Sequence, residues 1–430
     1  MARHRRWLQS LRPEMVAFAA VAFTAANPVR ANNAFPDEFS IHFPVNAPHR
    51  IFMGANFGLL VSEDDGLTWR YSCEPWIVSG SNAALAFANV SYYEVTADGA
   101  LLADAYDIKN MTRSADVACT WPSSGGSIVG QGVADFFADP NDATLVLANV
   151  VTSTGSYIVA SHDGGKTFDA PHLLDTPDLL TGIEIARSKP GVAYATAFSS
   201  GSAKFYASAD SGTTWGPPTT FAIPAATEPR ILAVDPVDEK KIYLRILGAV
   251  SDEIRVTIDG GQTFQTMLTT NNLLSSFLIA GDGAIYAGSR AGKLYVQPAG
   301  ATGFTVRNAP HLRCLGQRRG TTRIYACSDM VVDGYSLASS DDGGLSFQPM
   351  MSFTQLLGPL TCAPVQTACA AHWDRIQGVL GIRPPADAGL PDGGGQPPPS
   401  PGGSSCGTAG SGASALLLLL AFSFRRARWC

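Results

Sequence analysis

Arginines, carboxylates and cysteines are the residues of this chain with chemistry to offer. Arg187, Arg230, Arg245, Arg290 and Arg313 fall on or beside stretches of alternating apolar residues, with Glu184, Glu228 and Asp235 close by. Guanidinium groups gathered in one place clamp a carboxylate, and a neighbouring acid can move a proton. No set of these residues stands at a spacing that fixes such a site, and solvated loop charges and edge ion pairs account for them better. The seven histidines are scattered, with no His-Glu-x-x-His run and no nucleophile elbow. Asp64 and Asp65 resemble the opening of a calcium loop but lack its later bidentate glutamate. No catalytic residue, metal or cofactor is therefore expected.

The cysteines point to oxidation. Six of the eight lie before the C-terminal tail: Cys73, Cys119, Cys314, Cys327, Cys362 and Cys369. Cys314 and Cys327 are symmetric about the turn Arg318–Arg323, so a hairpin sets them opposite one another, within reach of a disulfide. Cys362 and Cys369 are expected to close a small loop, with a short helix over Thr367–Leu380, leaving Cys73 to pair with Cys119. A zinc site has no support, because the spacings are wrong and few histidines lie nearby.

The elements that would position these groups come from a repeat. One octet, Ser/Thr-x-Asp-x-Gly-x-Thr-Trp/Phe, recurs. Its copies carry Ser62, Asp64, Gly66 and Trp69; Ser161, Asp163, Gly165 and Phe168; Ser208, Asp210, Gly212 and Trp215; Thr257, Asp259, Gly261 and Phe264; Ser340, Asp342, Gly344 and Phe347. A weaker copy keeps Ser114, Asp116 and Trp121 but has Ala118 in the glycine position. Successive copies start 52, 47, 47, 49 and 83 residues apart, and Leu294–Phe304 fits the last gap as a worn hairpin without the Asp. Each octet is flanked by short alternating strands and Pro/Gly/Asp turns, about four strands per unit, with no helical period.

Asp can accept hydrogen bonds from the backbone of its own turn, Ser and Thr do so more weakly, and Gly takes a left-handed conformation. The closing aromatic ring is large enough to pack between neighbouring units. Seven such units over residues 40–355 predict an all-β fold, a seven-bladed β-propeller with four-stranded blades. A short helical, disulfide-bearing extension follows over 356–383. The octet resembles the Asp-box, or BNR, repeat of propellers such as sialidases, sortilin-type receptor domains and photosystem-assembly factors. That resemblance implies that the octets are structural turns on the side away from the functional face.

A sialidase-like enzyme would bring three arginines, a Tyr helped by Glu, and an Asp. Its opening Arg-Ile-Pro is not matched, since Arg50-Ile51-Phe52 stands too close to the first octet and Pro229-Arg230-Ile231 reverses the order.

Both termini read as addresses. Residues 1–31 join Arg3, His4, Arg5 and Arg6 to an apolar run, Met15 to Ala26, and a small-residue cleavage site, the layout of a secretory signal peptide. Residues 384–405 hold seven Pro and six Gly and form an extended spacer. Over 406–430, Cys406, a Gly/Ser run, the leucines Leu416–Leu420 and a terminal Arg cluster resemble the bacterial MYXO-CTERM sorting tail. That resemblance implies processing with lipid attached near Cys406, and a membrane anchor at the cell surface or outer membrane. Without the five Arg and one Glu of 1–31 and the three Arg of the tail, 22 basic and 35 acidic residues remain, a balance of −13. Such a surface repels nucleic acid. The expectation is an exported, surface-anchored, monomeric and non-catalytic propeller binding a protein or glycan ligand. The alternative is a sialidase-like exo-glycosidase.

Overall fold

A computed structural model describes residues 38–79, 92–105, 108–199 and 201–382. The signal-like segment, the spacer, Cys406 and the sorting-type tail lie outside these residues.

Seven antiparallel sheets follow one another along the chain, each built from consecutive strands. The first strands of the seven are Glu38–His42, Tyr92–Val95, Gly132–Ala138, Leu179–Ile185, Glu228–Val234, Leu274–Ile279 and Leu312–Gln317. Each of them touches the first strand of the next sheet, and the seventh touches the first, which closes a ring. The protein is a seven-bladed β-propeller. Burial falls from the axis outward: strands such as Ile242–Leu247 are almost wholly buried, whereas the fourth strands Gln265–Thr269 and Thr305–Asn308 are largely exposed.

Six blades have four strands. In blade 2 the described residues form three, Tyr92–Val95, Leu101–Ala105 and Asn110–Ser114, and the fourth is reduced to one bridge between Thr112 and Ser123. The residues after its octet show why: Pro122 has no N–H to donate, and beyond Ser123 the chain leaves this sheet, Gly125–Gly126 pairing in parallel with Thr167–Phe168 of blade 3. Blade 6 carries the worn repeat, and Lys293–Gln297 and Thr305–Asn308 pair as the expected hairpin.

Because the strands alternate in direction, the octet turns share one face with the loops joining strands 1 and 2. The backbone N–H groups of Asp65, Gly164, Ser211 and Gly260 donate to the loop carbonyls of His49, Thr144, Gly191 and Lys240. The turns joining strands 2 and 3, and the links between blades, lie on the opposite face.

Among the described residues, the four strands of blade 1 all come from its own segment, and the far end of the chain clasps it from outside, where Leu357–Leu360 exchange backbone hydrogen bonds with Trp69 and Tyr71. The helix Ala363–Val379 packs on the fourth strand of blade 1, Arg70–Cys73, and on the short helix Glu74–Ser79. Disulfides join Cys73 to Cys369 and Cys119 to Cys362, with Cα atoms 5.6 and 6.1 Å apart. This corrects the expected Cys73–Cys119 and Cys362–Cys369 pairs. Cys362 caps the helix and Cys369 lies about two turns into it, so their Cα atoms are on the order of 10 Å apart along the axis, beyond disulfide reach. The helix is also longer than expected and starts four residues earlier. Cys314 and Cys327 face each other on adjacent strands and are bonded, Cα atoms 4.8 Å apart.

Candidate functional site

The octets settle into one geometry. Ser161 Oγ donates to Asp163 Oδ1 at 2.8 Å and accepts from Gly165 N at 2.8 Å. Asp163 accepts from the Thr167 N–H at 2.8 Å and the Thr167 hydroxyl at 2.7 Å. Asp64, Asp116, Asp210, Asp259 and Asp342 hold their own turns in the same way. Two successive residues are left-handed in every copy: Asp65 and Gly66, Val117 and Ala118, Gly164 and Gly165, Ser211 and Gly212, Gly260 and Gly261, Gly343 and Gly344. The second of these also lies against the preceding blade, and a Cβ on Gly165, Gly212 or Gly344 would stand 2.6–2.7 Å from Leu102, Leu147 or Leu294. The closing rings of Trp69, Trp121, Phe168, Phe264 and Phe347 sit in apolar clusters shared by two blades. The octet carboxylates are thus engaged within their turns.

The charges singled out as candidate chemistry are placed as follows. Arg230 and Arg245 are cross-strand neighbours in blade 5, both buried. Arg230 bonds Glu228, with Nε at 2.6 Å, and Arg245 Nε bonds Asp252 at 2.8 Å. Asp252 also accepts from the Leu274 N–H of blade 6 at 2.6 Å. Arg313 pairs with Asp329 inside blade 7. Arg187 lies on the octet face, where burial and the like charge of Arg319 hold its guanidinium below its ordinary value. Arg290 is exposed at the edge of blade 6. Arg50 forks onto Glu63 at 2.7 and 2.9 Å. Glu184 accepts from Val234 N in the next blade at 2.8 Å, Asp135 does the same for Ile183 N at 2.9 Å, and Asp235 accepts from Val237 N at 3.1 Å. Arg230 and Arg245 stand within electrostatic reach of one another and of Glu228, and Arg230 also feels Tyr92 of blade 2 and Asp135 of blade 3. The nominated acids are largely spent on stitching each blade to itself or to its neighbour.

What sequence reasoning missed is a cleft in blade 3, on the face opposite the octets. It has a volume of about 440 Å³ and is lined by Thr152, Thr154, Ser156, Tyr157, His172 and Asp175, among others. The strand 2–3 turn, Thr152–Gly155, forms one wall, and the short fourth strand Leu174–Thr176 forms the other. The Tyr157 and His172 rings stack 3.6 Å apart, 7° from parallel. His172 Nδ1 meets Asp175 Oδ1 at 2.8 Å, and Asp175 is the cross-strand partner of Tyr157. Burial first, and then the Asp175 carboxylate, raises the Tyr157 phenol above its ordinary value, so it remains a hydrogen-bond donor. No sequence signal marked it: ten residues separate Phe168 from the start of blade 4, fewer than the twelve between Trp215 and the start of blade 5. Among the described residues, no group of three His, Cys, Asp or Glu is placed to hold a metal ion.

The chain matches no protein-family model and no curated protein. Its fold is similar to that of an ancestral GH74 enzyme, with a TM-score of 0.55 and 13% identity over 73% of this chain and 46% of that one. It is also similar to the GH74 enzyme of Niastella koreensis (TM-score 0.46, 18% identity, 62% of this chain and 45% of that one). A third similar structure is YCF48 from Cyanidioschyzon merolae (0.47, 15%, 68% and 92%). The chain thus spans about half the length of the GH74 structures. At these identities the likeness is one of fold alone.

Proposed function

We propose that this protein is exported, held at the cell surface by its C-terminal tail, and binds a protein or glycan ligand without turning it over. The observation that carries the reading is the engagement of the charges. Arg230, Arg245 and Arg313 each lie in a carboxylate partner on their own blade, and Glu184, Asp135 and Asp252 accept backbone N–H groups of the following blade. A general acid or nucleophile needs a group that can change its bonding during reaction, and these are occupied by the fold. The six octets match the Asp-box form, and their carboxylates are likewise committed. That leaves the face opposite the octets, with its cleft, as the ligand surface. The disulfides, the signal-like residues 1–31 and the Pro/Gly spacer all suit an oxidising exterior.

Surface proteolysis of intact cells tests the location. Treatment should remove the propeller, and a chain ending before Cys406 should appear in the medium; a protected, cell-retained protein overturns the proposal. For activity, the purified chain should bind a glycan or a surface protein yet leave fluorogenic sialosides and β-glucosides intact. Saturable hydrolysis would return the glycosidase alternative.

A further inference from the structure

We infer that the blade 3 cleft is a carbohydrate subsite that takes a neutral pyranose, with the Tyr157–His172 stack as its platform. The inference deepens, and rests on, the reading of the protein as a ligand binder.

A pyranose has a flat C–H face and a rim of hydroxyls, so its receptor needs a flat ring flanked by donors and acceptors. The cleft supplies that combination. The His172 ring is backed by Tyr157 at 3.6 Å and anchored at one edge by Asp175, while its side chain stays 41% exposed. With one face covered and one edge held, the exposure falls on the other face and the Nε2 edge. Around it stand the hydroxyls of Thr152 and Thr154, both exposed, and the 71% exposed Asp175 carboxylate. Thr152 Oγ1 bonds Gly155 O at 2.9 Å, which holds the turn and orients that hydroxyl.

The size and charge narrow the ligand. About 440 Å³ lies in the range of small-ligand pockets and accommodates one or two sugar rings. Asp175 is one of the lining residues, none of which is Lys or Arg, and the Lys204 ammonium is taken by Asp178. An acidic sugar therefore meets a carboxylate and no guanidinium among the lining residues. The neutral sugar finds in Asp175 an acceptor able to take two hydroxyls.

Saturation-transfer NMR on the full chain tests this with methyl glucoside, methyl galactoside, methyl mannoside and lactose against sialyllactose and glucuronic acid. At least one neutral probe should bind, with the acidic ones weaker. His172→Ala should weaken it tenfold or more. Thr154→Trp, which fills the cleft from an exposed turn and leaves the stack intact, should do the same with an unchanged melting temperature. If both variants bind the sugar as the parent does, the subsite is elsewhere and this inference falls while the binding reading stands. Preference for the acidic probes, or no binding of any saccharide, also overturns it. Hydrolysis of the bound sugar would instead overturn the reading beneath it.

Discussion

At the scale of single residues, the octet is a turn with two left-handed positions that carry different duties. The first, filled by Asp65, Val117, Gly164, Ser211, Gly260 and Gly343, needs chiefly the backbone conformation, with a closer neighbour only at Gly164, where a Cβ would stand 2.9 Å from the Ala143 carbonyl oxygen, and at Gly343, 3.3 Å from the Tyr286 hydroxyl. The second is glycine in five copies and the small Ala118 in blade 2, because the preceding blade packs against it. Gly260→Ala, whose methyl would meet nothing nearer than 3.9 Å, should then cost about 1 kcal/mol, the left-handed penalty alone, and Gly344→Ala about 2 kcal/mol, since its methyl must also displace Leu294. Thermal melting of the two variants distinguishes them; equal losses would refute the second duty. The carboxylates give an acid limb. Asp210, Asp259 and Asp342 sit below the ordinary value of 3.8, held down foremost by the hydroxyls of Thr214, Thr257 and Ser346 respectively. A lowered folded value stabilises the native state fully above that ordinary value and is lost as pH falls below it. Melting temperature should be insensitive to these groups above about pH 4 and fall beneath it, and Asp259→Asn with Asp342→Asn should flatten the slope. The roles of Asp and Gly were legible because turn chemistry is local. The first left-handed position was not, since its residues share no side-chain type.

At the scale of elements, the clasp helix carries the information that the sequence hid. Blade strands follow from alternation over a few residues, and the Cys314–Cys327 pair follows from a hairpin. The other two disulfides bridge residues 296 and 243 apart, and their pairing depends on where a terminal helix docks. Closing loops of that length restricts the unfolded chain by on the order of 5 kcal/mol for the first bond, and by less for the second once the first is made. Removing both, in Cys362→Ser with Cys369→Ser, should lower the melting temperature well beyond the loss from Cys327→Ser with Cys314→Ser. The helix also buries His372, whose Nδ1 lies 3.3 Å from the Tyr71 hydroxyl. Burial, aided by the charge of Arg375, lowers His372 to about 4 from 6.5. A histidine depressed in this way favours the folded state while neutral. Its contribution is whole above pH 6.5 and fades towards pH 4, by on the order of 2 kcal/mol. Protection of the amides in Ala363–Val379, relative to their intrinsic exchange rates at each pH, should fall across that window, and His372→Phe should remove the dependence.

At the scale of the whole molecule, the number of blades was countable from the octets, but the ligand surface was not. Glu184 and Asp135 join neighbouring blades and Arg230, Arg245 and Arg313 pair with carboxylates of their own, and the cleft arises where the turn Thr152–Gly155 meets Leu174–Thr176, about twenty residues along the chain. Such meetings depend on tertiary packing, and side-chain types alone do not announce them. The clasp has a further effect, on survival. With Cys73 tied to Cys369 and Cys119 to Cys362, every peptide bond between 73 and 369 lies on a closed covalent circuit. One cut anywhere on it leaves the two pieces joined, and non-reducing electrophoresis after light proteolysis should show a single full-mass band that splits only on reduction. Loss of a fragment needs two cuts in the same arc of the circuit. On exposure to a protease, early loss of a fragment from this circuit should therefore grow with the square of exposure time.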